Sequence, residues 1–543
     1  MRTDTALPSE AMTNPVNGLR ALPTDHLILL IAVAASRWIF RSHTLYMMDS
    51  VNFALGMQHF APVLHQPHPP GYYLYVKLAQ LVQHLLPNPN DALVAISIAA
   101  SCLAAALIYQ LAYVWFGRNA ARWAGALFVF SPLAWFHGTV ALVYIAEAGM
   151  AALIGYLCWL AYCGKREMVI VAAIAFGLAA GIRQSTALFL SPLLLLALRQ
   201  AGWRYALIAI GAGALTVAAW FLPMLAESGG YAAYFTALDD LWSRVPATQS
   251  VFRQPAMIFP HALFLTAAYG LCFAAAAPLL FVRGIRTSPP PGAWLFLAAW
   301  LAPGMLFFVF IFLHPLALGY VLFLFVPLFA LLGAKVAALP VMAKGGRKRS
   351  LLILALAAVH AAIFLFVPLY TSHAAITQYE QDLPRVERGL RAVATPEKTI
   401  VVAFDAHFYG FRHIGYGLPE YLVVSYPELR FSQGAGIFAM HARSTEILGK
   451  LPLEQYERFV LYFPNARDAE VYRHHLPSLF TTGNVSFLNV DGHEFLTGPA
   501  SALDRIFPAP AHVDQEAHIQ YHLPEADLNP DETRMPTAIT KIR

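Results

Sequence analysis

Charge is what this chain most lacks: Asp, Glu, Lys and Arg make up only 12% of its 543 residues, against 58% hydrophobic. That balance excludes a soluble globular enzyme throughout, and mean hydropathy is +0.55. Cysteine is nearly as scarce. Cys102, Cys158, Cys163 and Cys272 all lie in or at the ends of apolar runs, and none follows residue 272. Disulfides therefore do not staple the C-terminal part, and no Cys/His spacing suggests structural zinc. Two motifs are also missing, the G-x-x-x-x-G-K-[ST] phosphate loop and the G-x-S-x-G nucleophile elbow. Nucleotide hydrolysis and serine-esterase chemistry lose support. No repeat of fixed period is present.

What remains is a succession of apolar runs near or above the ~20 residues that cross a hydrocarbon core of ~30 Å. They are continuously apolar rather than alternating, so helices and not barrel strands are expected. The predicted fold class is a polytopic α-helical membrane protein with about 11 transmembrane helices. Spans are placed near 26–42, 92–116, 119–137, 139–162, 167–182, 185–201, 204–224, 257–283, 293–313, 316–338 and 350–370. Residues 72–86 are apolar, but Lys77, Gln80, Gln83 and His84 argue that they do not cross.

Basic residues fall in alternate loops, which sets orientation. Arg118, Arg122, Lys165, Arg166, Arg199, Arg204, Arg283, Arg286 and Lys344 with Arg347, Lys348 and Arg349 take the cytosolic side. The expected organisation is a disordered cytosolic tail over 1–24 and a transmembrane domain over 25–372 with a first outer loop at 43–91. An extracytoplasmic soluble α/β domain follows over 373–508, and then an irregular tail over 509–543. Strands are predicted at 399–404, 421–424, 458–463 and 485–488, with helix near 467–475. The expected location is the inner (plasma) membrane, with the N-terminus cytosolic.

Polar residues are conspicuous where the membrane pattern is interrupted. Asp49 is the only acid between Asp25 and Asp91. It opens a loop containing His65, His68, Pro67, Pro69, Pro70 and Tyr72. The topology puts Asp49, His65, His68, His137, Arg183, Gln184 and His314 at one face, with Arg37 and Arg41 near the end of the first span, within snorkelling reach of phosphate groups. Glu147 is expected some eight residues into its span, roughly 12 Å deep at ~1.5 Å per residue. An acid there faces a cavity, pairs with a base or stays protonated. Each residue also has a plainer reading. Asp49 could cap a short helix, Glu147 could join helices by hydrogen bonding, Arg183 could anchor headgroups, and the tyrosines suit a membrane interface.

An early-loop acid followed by His68-Pro69-Pro70-Gly71-Tyr72-Tyr73-Leu74-Tyr75 resembles the integral-membrane glycosyltransferases of the GT-C fold. The likeness is to bacterial members related to protein O-mannosyltransferases and to aminoarabinose and Rgt-type transferases. In that family the loop acid is essential, and a K/H-P-P motif closes the loop; Asp49 and His68-Pro69-Pro70 match these. Many relatives have two consecutive acids, whereas Ser50 follows Asp49, so a divalent metal ion and no cofactor at all are both open.

The resemblance implies transfer of a sugar from a polyprenyl-phosphate donor to an extracytoplasmic glycan, lipid or protein acceptor among membrane lipids, with no nucleic acid partner. Asp49 would be the general base. Arg183 would meet the leaving phosphate, with His65, His68, Gln184, Glu147, His137 and Tyr72 as further substrate-binding candidates. A transporter or flippase of a lipid-linked or small solute is the alternative, although no paired halves with broken helices are evident.

Overall fold

A computed structural model describes residues 23–244, 246–285, 287–344, 346–404, 406–426, 430–433, 437–440, 455–463, 469 and 485–503. Most of the N-terminal tail, the helix expected near 467–475 and the C-terminal tail lie outside the described residues. Helices dominate, and seven are long and apolar enough to cross a membrane among the described residues. They include Pro89–Phe116, Tyr144–Tyr162 and Leu318–Ala337. The first helix, Pro23–Ile39, has 17 residues.

Local chemistry sets where these helices begin and end. The Asn88 side chain accepts from the N–H groups of Asn90 and Asp91, with Pro89 at the first helical position, and so starts the helix to Phe116. That helix stops at Gly117, whose φ of +82° suits glycine and turns the chain into Arg118–Phe130. At the same end, Arg118 and Arg122 each fork onto the Asp25 carboxylate, at 2.9–3.2 Å and 3.0 Å respectively.

Two predicted spans are broken. The run 119–137 is two helices, Arg118–Phe130 and Pro132–His137. Pro132 removes a backbone donor, and the Ser131 side chain caps the second piece by accepting from Ala134. The run 139–162 becomes helical only at Tyr144. Residues 139–143 are buried but irregular, and their carbonyls are satisfied from outside: Ser97 donates to Val140 (2.9 Å) and the Ser42 N–H to Thr139 (2.8 Å). Apolar character alone did not distinguish this buried turn from a helix. The segment 72–86 forms Tyr73–Gln83, whose 11 residues span roughly 16 Å and do not cross.

Beyond the last membrane helix, helix His373–Val393 leads into a seven-stranded sheet of order β4-β3-β2-β1-β5-β7-β6. Its strands are β1 (Thr399–Phe404), β2 (Val423–Tyr426), β3 (Arg430–Gln433), β4 (Ile437–Met440), β5 (Arg458–Phe463), β6 (Ser486–Val490) and β7 (His493–Pro499). β1 runs parallel to β2 and β5, and the outer pairs are antiparallel. Alternate residues face opposite sides. Val401, Ala403, Val423 and Tyr462 join the main core, whereas Ile400, Val402, Leu422 and Leu461 form a second core on the far side. The sheet is thus packed onto the same end of the helical bundle as the Asp49 loop. Glu380 accepts from Ser42 and His43 there, and Tyr379 donates to the Leu45 carbonyl (3.3 Å).

Candidate active site at the Asp49 loop

Asp49 is the second residue of helix Met48–Gln58. Met47 occupies the cap position and makes no side-chain cap bond, so the plain role of helix cap does not belong to Asp49. A carboxylate in the first turn is still favoured by the helix dipole. Its Oδ2 accepts from the Tyr144 hydroxyl at 3.3 Å, and its Oδ1 stands 3.5 Å from His68 Nδ1. The carboxylate keeps about a fifth of its surface open, with a side-chain exposure of 19%. A base that must meet a substrate needs that access.

The loop that brings His68 back to Asp49 is tightly turned. His65, Gly71 and Tyr72 all have positive φ, at 56°, 103° and 49°. A side chain at Gly71 would press within 3.3 Å of Phe60 and Pro62. Tyr72 has no such exemption from steric cost, and its backbone persists because its surroundings hold it. Its hydroxyl lies 2.9 Å from His68 Nε2, so Asp49, His68 and Tyr72 form one line of polar contacts. Burial pushes the His68 imidazole below its ordinary value, Asp49 opposes this, and Arg183, Arg412 and His407 reinforce it. The ring is therefore neutral at neutral pH.

Behind Tyr144 lies a second cluster. Arg183 connects helices Met168–Ile182 and Gln184–Ala201, and its Nη1 donates to Glu147 Oε2 at 2.5 Å. Thr186 donates to the other Glu147 oxygen at 2.9 Å. The guanidinium also lies 4.2 Å from the Tyr320 ring centroid and 5.3 Å from that of Tyr144. Glu147 is in the first turn of its helix, so it lies roughly 5 Å from the helix start rather than 12 Å. The displaced start at Tyr144 accounts for the difference.

The other predicted residues divide. Gln184 donates to the Pro70 carbonyl (3.2 Å) and accepts from Tyr234 (3.0 Å), fastening the end of the loop. His314 stacks on His407 at 5.2 Å, within the field of Asp49. His137 packs edge-on against Tyr144 and reaches the site only through that ring. His65 turns its carbonyl to Arg412, at 3.3 Å. Arg37 does not snorkel. It is fully buried and donates to the carbonyls of Val129 (2.6 Å) and Phe128 (3.2 Å) beside the helix break at Pro132, the Phe128 carbonyl also accepting from the Ser131 N–H (3.3 Å). Arg41 instead lies 4.0 Å over the Trp38 ring.

Tyr144, Tyr320, Thr186, His407 and Arg412 were not singled out from sequence, and a tyrosine near a membrane surface carries no signal that separates it from an interfacial anchor. Among the described residues, no group of three or more His, Cys, Asp or Glu side chains is gathered to hold a metal ion. Asp49 and His68 alone do not complete a ligand set.

A polytopic helical bundle, an acid-bearing loop after the first helix and a sheet packed over that loop define a membrane protein of the GT-C fold. Among solved structures the chain is similar to ArnT from Cupriavidus metallidurans in the apo state, at 13% identity and a TM-score of 0.52, with 90% of this chain and 98% of that chain covered. It is similar to the same protein bound to undecaprenyl phosphate, again at 13% identity and 0.52, over 88% and 98% of the two chains. At this identity the likeness is one of fold. No protein-family model matches the chain, and no curated protein matches its sequence.

Proposed function

We propose that this protein is a membrane glycosyltransferase that moves a sugar from a polyprenyl-phosphate donor to an acceptor hydroxyl or amine at the outer face of the membrane, with Asp49 as general base. The carrying observation is the accessible Asp49 carboxylate set one tyrosine away from a buried arginine. A base and a phosphate-binding cation side by side are what this displacement needs.

In the reaction the acceptor oxygen or nitrogen attacks the anomeric carbon as the bond from that carbon to the phosphate oxygen breaks. Asp49 removes the acceptor proton, a contribution typically worth 10²- to 10⁴-fold. The departing lipid phosphate takes the bonding electron pair, and Arg183 stabilises its charge from a water-poor site. Glu147 and Thr186 hold the guanidinium in place, and Tyr144 and Tyr320 present it. His68, being neutral, accepts or donates a hydrogen bond beside Asp49 without competing as a cation. A single displacement inverts the anomeric configuration. The fold partner that binds undecaprenyl phosphate supports a lipid phosphate as the carrier.

The test is a liposome assay with the purified full chain, a panel of undecaprenyl-phosphate sugars and a membrane extract as acceptor source. Labelled sugar should pass to an acceptor with inversion. Failure with every donor, in protein shown to be folded, contradicts the reading. Orientation is tested separately by Lys398→Cys in the exposed sheet region. An impermeant thiol reagent should label it in intact cells, and protection would reverse the inside/outside assignment.

A further inference from the structure

Residues 407–412 belong to the sheet region, running from the connection after β1 into the first turn of helix Phe411–Gly417, yet they touch both ends of the Asp49 loop. At one end the Met48 N–H donates to the His407 carbonyl at 2.9 Å. Met48 opens the helix that carries Asp49, and a first-turn N–H has no partner within its own helix. The bond to His407 therefore sets where that helix begins, and Asp49 follows one residue later. At the other end Arg412, 2% exposed, spreads its two terminal nitrogens over the carbonyls of Leu64 (3.1 Å) and His65 (3.3 Å). His65 has a φ of 56°, so its carbonyl is turned out of any regular ladder. A planar guanidinium can bridge two adjacent carbonyls, and a lysine ammonium matches that fork poorly. The His407 ring, in turn, stacks on His314 with the two ring planes 7° apart.

We infer that His407 and Arg412 are positioning residues through which the sheet region holds Asp49 and His68 in register across the loop. The 3.5 Å approach of His68 to Asp49 joins two stretches of chain that have separate anchors on this one segment. The groups acting on His68 are Asp49 and Tyr72 from its own loop, Arg183 from the helix bundle, and Arg412 and His407 from the sheet region. Asp49 favours the imidazolium, and the three remaining basic groups oppose it. Removing a group of the sheet region therefore has a defined sign. The consequence for turnover rests on the transferase reading, whereas the titration of His68 does not.

The experiment is a histidine-labelled NMR titration of the full chain in lipid nanodiscs, with the His68 resonance assigned by its loss in His68→Gln. Arg412→Gln and His407→Ala should each move the His68 midpoint upward. Arg412→Lys keeps the charge, so its midpoint should stay close to wild type. Its turnover in the liposome assay should fall about ten- to a hundredfold, the scale expected when a reacting group is misplaced, with KM for the donor little changed. Should Arg412→Gln fail to fold, His407→Ala and Arg412→Lys carry the test, since each leaves part of the clamp intact. A His68 midpoint unmoved in folded Arg412→Gln and His407→Ala overturns the inference, as does wild-type turnover in Arg412→Lys. Undiminished transfer by Asp49→Asn overturns the catalytic reading instead, and leaves the titration result to judge the clamp alone.

Discussion

Two buried arginines sit at the sheet-facing ends of helices, and their surroundings differ in kind. Arg37 meets no carboxylate among its hydrogen-bond partners: it donates to the carbonyls of Phe128 and Val129 and to the Ser36 hydroxyl, and it lies over the Phe128 and Trp135 rings. Arg183 meets a carboxylate and two tyrosine rings beside the loop that holds Asp49. The first repairs a helix broken at Pro132. The second is a charge kept in place next to an accessible acid. Burial of a cation does not by itself mark a site, and the chemistry of its partners separates the two regions.

The largest effects should come from splitting the Arg183 pair. Arg183→Met leaves Glu147, 1% exposed, without its cation, and Glu147→Gln leaves Arg183 without its carboxylate. Breaking a buried pair from one side costs about 3–5 kcal/mol. Thermal unfolding in detergent should fall sharply for either single variant and recover in part for the double Glu147→Gln, Arg183→Gln, while transfer stays lost in the double. Recovery of transfer there would mean that Arg183 is structural, like Arg37.

Arg37→Met should be milder, at about 1–3 kcal/mol for the Val129 carbonyl left without its donor. It should lower the unfolding temperature without changing KM for a polyprenyl-phosphate donor. A rise in that KM would blur the distinction between the two arginines.

The pH dependence reports on the buried histidines of the loop and the sheet region. His68 and His413 both have folded values below the ordinary 6.5, through burial, with His413 pushed down to about 3. The unfolded chain thus binds more protons as pH falls below 6.5, and stability held above that pH is lost progressively toward the folded values. Hydrogen exchange should show the Asp49 loop and sheet region losing protection as pH falls below 6.5. Protection unchanged on acidification would contradict this.

The smallest effect belongs to Lys77→Ala. Lys77 pairs with Glu227 at 2.8 Å, but both side chains are about one-third exposed, and such pairs are worth ~0–1 kcal/mol. Unfolding temperature and transfer should both stay near wild type. A large loss of either would put Lys77 inside the site.

The membrane-helix bundle was legible because long apolar runs have few alternatives, and four strands of the sheet announced themselves as short runs of β-branched and aromatic residues. The Asp49 loop was legible for the opposite reason, as polar residues where the pattern called for apolar ones. The turn at 139–143 was not, since its residues are as apolar as a helix and its carbonyls are satisfied by Ser97 and Ser42. Glu147 called for a partner, but nothing in the order of residues chose Arg183 over Arg37. That choice depends on which helix ends meet in space. Arg412 was hidden further still, because its partners Leu64 and His65 lie 348 and 347 residues away along the chain.

The central claim, that Asp49 is the base of a glycosyl transfer, is tested most directly by Asp49→Asn in the full chain, reconstituted with undecaprenyl-phosphate sugars. Asparagine keeps the size of the side chain and its bond to Tyr144 while removing the proton acceptor. The account predicts transfer reduced at least about a hundredfold, with donor binding and unfolding temperature close to wild type. Transfer at the wild-type rate by that folded variant would contradict it.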